Sequence, residues 1–124
     1  MNDNQPEKIV TPCVLVAVVS DREKLEEIIE GFIEIGITGA TIIDTYGMAG
    51  IVRSRIPIFT GFREFSSSGH NANQTIFSVI DDEDKVRKAF ILLEDICGNF
   101  DTPASGIAFT IPIGIVNGLA QEIE

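Results

Sequence analysis

From Val14 to Val19 the chain has no polar side chain, and four of these six residues are valine. A strand with one face in water alternates apolar with polar positions, so an unbroken run of this kind reads as a strand with apolar side chains on both faces. Whatever sheet it joins must therefore be covered twice. The elements that follow provide for only one of those covers.

Ser20 with Glu23 three residues on matches a capping box, and Leu25, Ile28, Ile29 and Phe32 recur at helical spacing until Gly36. This pattern predicts a helix over 21–35. Its Glu23, Glu26, Glu27, Glu30 and Glu34 lie mostly on the opposite side and form a solvated face. Two β-rich runs, Ala40–Tyr46 and Gln74–Ile80, come next. Asp81 and Asp82 can cap a second helix, in which Val86, Ala89, Phe90, Leu93, Ile96 and Cys97 recur three and four apart before Gly98. A loop, Asn99–Ser105, leads to a last strand, Ile107–Ile113. There Pro112 lacks a ladder donor and implies an edge position or a bulge.

Strand-helix-strand-strand-helix-strand is the ferredoxin-like βαββαβ sandwich, an α+β fold whose four antiparallel strands carry both helices on one face. The later strands add Ile42, Ile76, Phe77, Phe109 and Ile111, and the helices can cover only one face of the apolar sheet they build. Monomers rarely expose contiguous apolar patches beyond a few hundred Å². Closed self-association is the simplest cover, and a homo-oligomer is expected on this ground alone. At 124 residues the chain is long enough for a single core,. We expect a flexible arm over 1–12, which contains Pro6 and Pro12, and one domain over 13–124. The polar start, Met1–Lys8, does not read as a signal peptide, and no run approaches the ~18 apolar residues of a membrane span. The expected location is the cytoplasm. Cys13 and Cys97 belong to no metal-spaced cluster and read as small apolar core residues.

Nineteen acidic against nine basic side chains leave a net charge of -10. That field repels nucleic acid, so no such partner is expected. The one basic segment is the long connection Gly47–Asn73, a length of loop that tends to be functional. It holds Arg53, Arg55 and Arg63 against Glu64 alone, a local +2. Guanidinium groups segregated in this way suit an anion or an acidic partner surface. His70, the single histidine, has no second His or Cys nearby to make a metal site. It reads as a surface residue of the loop, with a role at a ligand cleft as the alternative.

Three segments carry a resemblance. Glu34-Ile35-Gly36-Ile37-Thr38-Gly39-Ala40-Thr41 is similar to E-V-G-I-T-G-M-T of the P-II nitrogen regulatory family. Asp44-Thr45-Tyr46-Gly47-Met48-Ala49-Gly50 is similar to that family's E-V-K-G-F-G-R ahead of its long T-loop, and Gly106-Ile107-Ala108-Phe109 to its G-K-I-F after the B-loop. The resemblance spans about residues 14–113. It implies a non-catalytic, signal-transducing homotrimer whose three sheets face inward. Small ligands would then sit between subunits, in clefts built from the T-loop base of one chain and the B-loop of its neighbour. By position the base is Thr41, Gly47 and Met48, the B-loop is Thr102–Gly106 with Ser105 inside it, and Val19 falls near the adenine edge. Glycine at 47 and 106 would let backbone N–H groups approach an anion, and the Thr41 hydroxyl would meet a base edge. Segment 47–73 would be the switch that binds a protein partner, a membrane protein included, without membrane insertion.

The family's phosphate-gripping cations have no counterpart here. No Lys or Arg occurs after Lys88, and Ile107 stands where the family has lysine. A triphosphate needs compensating charge, so the expected cofactor is a less charged adenine nucleotide or a small anion rather than ATP. Tyr46 precedes the loop, which removes the family's modified tyrosine. Two alternatives share the fold. One is a divalent-cation tolerance-type trimer, whose metal would be oxygen-bound. The other is an acylphosphatase-like hydrolase using Arg22 with Asn71 or Asn73, although no activated nucleophile accompanies them.

Overall fold

The computed structural model describes residues 12–48, 72–98 and 106–119. The expected arm, most of segment 47–73 with Arg53, Arg55, Arg63 and His70, and the B-loop positions Thr102 and Ser105 lie outside the described residues. Strands β1 (Cys13–Val19), β2 (Thr41–Thr45), β3 (Asn73–Ile80) and β4 (Gly106–Pro112) form one antiparallel sheet in the order β2-β3-β1-β4. Helices α1 (Leu25–Ile35) and α2 (Glu83–Cys97) pack on one side of it. This is the α+β, ferredoxin-like arrangement expected from the element order.

The valine-rich run becomes β1, which lies in the middle of the sheet and pairs with β3 on one side and β4 on the other. The strand carrying Pro112 is an edge strand, so the missing N–H costs no ladder bond,. The chain leaves it through an Ile113 N–H bond to the Pro12 carbonyl at 3.3 Å.

Helix 1 differs from expectation at its start. A 3-10 turn, Arg22–Lys24, precedes α1, and the cap is Asp21, whose carboxylate accepts the Glu23 N–H at 3.0 Å. The Ser20–Glu23 capping box is therefore not used. A tight 3-10 turn opens the helix one residue later than the box requires. At the other end Gly36 adopts φ 105°, and the N–H groups of Gly36 and Ile37 return to the Phe32 carbonyl at 3.1 and 2.8 Å. Only glycine takes that backbone conformation without strain. Asp82 caps α2 as expected, accepting the Asp84 N–H at 2.9 Å.

Directly paired residues of antiparallel strands share a face, so the register sorts the side chains. Leu15, Ala17 and Val19 of β1 with Ile76 and Ile80 of β3 face the helices, where they pack with Ile28, Phe32, Ala89 and Leu93. Val14, Val16 and Val18 point the other way. Val16 is paired with Phe77 on one side and Phe109 on the other and is only 5% exposed between them. Around it Ile43, Phe77, Ile107, Phe109 and Ile111 stand 36–54% exposed on the same open face. Among the described residues nothing supplies the second cover that the valine run demands.

Cys13 and Cys97 are free and half-buried, at the margin of the core rather than inside it. Partial burial pushes both thiols up from the ordinary range, with Lys24 opposing the effect at Cys97. Among the described residues no helix is long and apolar enough to cross a membrane.

Candidate functional site

The site residues expected from sequence fall at two ends of the sheet. One end is where β1 and β2 finish and β3 and β4 begin. There Val19 is the direct partner of Gln74 and of Gly106, and Thr45 is the partner of Asn73, which brings Gly47 and Met48 to the same end. The side chain of Val19 is turned into the helix-side core and is 1% exposed, so it offers only backbone to a ligand. Gly106 has φ 132°, a conformation in the glycine-favouring region,. Gly47 is less constrained, since a Cβ there would lie 3.5 Å from the Asn73 amide nitrogen, an ordinary contact. Met48 projects into solvent at 80% exposure.

Hydrogen bonds between β2 and β3 hold the stem of the long segment closed at this end. Gln74 is buried on the helix side and donates its Nε2 to the Asp44 carboxylate at 2.5 Å. On the open face the hydroxyls of Thr45 and Thr75 meet at 2.6 Å. These bonds keep the two chain ends of segment 47–72 together whatever that segment does. Sequence reasoning missed Gln74. Its signal was a long amide at a position whose strand parity calls for an apolar residue.

Thr41 is parted from this group. It begins β2 and pairs with Phe77, four residues of extended strand from Thr45, or about 13 Å at 3.3 Å per residue,. There it lines a concavity of about 900 Å³ walled by the 36–40 loop, Val14, Phe77, Val79, Lys85 and Leu119. The loop is held in shape from below. Ser78 donates its hydroxyl to the Gly39 carbonyl at 2.6 Å, and Lys85 donates its Nζ to the Gly36 carbonyl at 3.2 Å. Asp81 and Asp82 stand on the rim.

The electrostatics agree with the sequence. Among the described residues the cations are Arg22, Lys24, Lys85, Arg87 and Lys88, none of them on β2, β3 or β4. Arg22 and Lys24 follow Val19 in the 3-10 turn, on the helix side of the first end. Arg87 is paired with Asp84 at 2.7 Å. The described strands present hydroxyls, amides and backbone to a ligand. Among the described residues no three His, Cys, Asp or Glu side chains converge as a metal-binding group.

No family model matches the chain, and no curated protein matches it in sequence. Solved structures do match. A functionally unknown protein from Pediococcus pentosaceus superposes with a TM-score of 0.59 at 15% identity, over 90% of this chain and 100% of the other. The GlnK–ATP complex of B. subtilis, a P-II structure, superposes with a TM-score of 0.53, also at 15% identity, over 86% of this chain and 85% of the other. At such identity the likeness shows the fold. The chain has the ferredoxin-like architecture found in a P-II protein.

Proposed function

We propose that the chain is a divergent P-II-like regulatory protein and not a catalyst. It acts as a homotrimer that binds a small ligand, a less charged adenine nucleotide or a small anion, in clefts between subunits. The bound ligand biases segment 47–73 toward the form that engages a protein partner. The observation that carries this reading is the apolar open face around Val16, whose rim the described residues leave 36–54% exposed.

Topology supports a ring. Among the described residues the edge strands of the sheet are β2 and β4, and they run in opposite directions. In a ring about an axis along the strands, β4 of one copy comes beside β2 of the next with Gly106 at the level of Thr45 and Gly47. The expected base of the long segment and the expected B-loop then share a seam. An extended ligand lying along β2 would reach from that seam toward Thr41. The poverty of cations on the strands is the reason for placing ATP below less charged ligands. The divalent-cation reading gains no support from the described residues.

The test has two arms. Light scattering at micromolar concentration is expected to return three times the 13.5 kDa chain mass. Isothermal titration against adenine nucleotides, cyclic dinucleotides, bicarbonate and 2-oxoglutarate is expected to show one binder, with ATP weaker than the best. A monomeric mass, or silence across the whole panel, overturns the reading.

A further inference from the structure

Beyond β4 the chain runs through Ile113–Leu119, and Ile115 in this tail is wholly exposed, at 101% of its reference area. The tail is not loose at its root, where the Ile113 N–H bonds to Pro12, nor at its far end, where Gly118 and Leu119 line the concavity of Thr41. An isoleucine held between two anchored points with no contact of its own is a poor outcome for one chain alone. Its place in the pattern is informative. Ile107, Phe109 and Ile111 alternate along β4 on the open face, and Ile113 and Ile115 continue that alternation past the end of the sheet.

We propose that the tail Ile113–Leu119 is a strap that seats Ile115 on a second copy of this chain, extending the interface of the open face. This rests on the self-association proposed above, but it is a separate claim about where that interface ends. Area favours a second copy as the occupant. Aromatic side chains bury on the order of 150–250 Å² when fully covered, and with isoleucine taken near the middle of that range the five half-exposed residues on the open face supply roughly 500 Å² per chain. Adding Ile115 and Leu119 brings the apolar area to roughly 700 Å², close to the ~800 Å² per partner of a standard stable interface. The strap also joins two sites. A neighbour that fixes Ile115 fixes the path to Leu119, and with it one wall of the concavity that contains Thr41.

The test compares three aspartate substitutions in the full chain, with mass measured by light scattering from about 0.1 to 50 µM and fold checked by far-UV circular dichroism. Ile115→Asp is expected to weaken association at least tenfold with an unchanged spectrum, since the side chain has no intramolecular packing to lose. Phe109→Asp is expected to abolish association. Ile33→Asp, at an exposed isoleucine on α1 (58%) away from the open face, is expected to change nothing. If Ile115→Asp associates as the wild type does while Phe109→Asp dissociates, the strap is wrong and the open-face interface stands. If neither changes the mass, the chain associates by another surface, and the open-face interface and the strap both fail; if the wild type is monomeric, the self-association reading fails and the strap with it. Should Ile115→Asp disturb the spectrum, Ile115→Ser is measured in its place against the same tenfold criterion.

Discussion

The hydroxyl of Ser78 and the carbonyl of Gly39 are 2.6 Å apart, although 39 residues separate them in the chain. Ser78 is buried two residues before the end of β3, and its hydrogen bond ties down the turn that carries the chain from α1 to β2. That turn is a wall of the concavity in which Thr41 stands. One side-chain hydrogen bond therefore links the core to the shape of the candidate site.

Replacing Ser78 with Ala removes this bond without adding bulk. A net hydrogen bond contributes about 0.5–1.5 kcal/mol, and a loss of roughly 1 kcal/mol in urea unfolding is expected. Unchanged stability would mean that water serves the Gly39 carbonyl equally well.

The helices meet closely at Gly31, where a Cβ would stand 2.5 Å from a terminal methyl of Leu92. On an exposed helix Gly→Ala gains about 1 kcal/mol, whereas overpacking costs about 1–3 kcal/mol. Gly31→Ala is expected to lose roughly 1 kcal/mol on balance, and Leu92→Val in the same chain is expected to recover part of it. A stabilised single variant would show that Leu92 moves aside freely.

Capping offers a sharper contrast between adjacent residues. Asp21→Ala removes the acceptor of the Glu23 N–H and is expected to cost about 1 kcal/mol,. Ser20→Ala is expected to fall within about 0.5 kcal/mol of wild type. The reverse order in thermal unfolding would restore the capping box read from sequence.

Burial raises the pKa of both thiols, so the folded chain binds their protons more tightly than the unfolded chain does. That contribution is whole below the unfolded thiol pKa and is lost as pH rises through the higher folded value. Melting temperature is thus expected to fall more steeply above about pH 9 in wild type than in a Cys13→Ala/Cys97→Ala variant. Identical alkaline slopes for the two proteins would contradict it.

Most of the architecture was legible because it rests on local rules. Asp82, Gly36 and Gly98 mark helix ends through the geometry of their own backbone, and Pro112 marks an edge through the donor it lacks. Ser20 misled because two acceptors stand side by side and only the first turn, 3-10 rather than α, chooses between them. The site was harder to read. Thr41 and Gly47 are close in sequence, one ending the first resembling segment and the other lying in the second, yet an extended strand carries them to different ends of the sheet.

Val14–Val19 by itself determined that this chain needs two apolar covers, because a run without polar positions has no side to turn to water. Which valines lie under the helices and which lie on the opposite face was decided by register, since a shift of one residue exchanges the two sets. Gln74 and Ile115 belong to the same category. Their meaning comes from what stands opposite them, a carboxylate in one case and bare solvent in the other, and that follows from tertiary pairing rather than from local pattern.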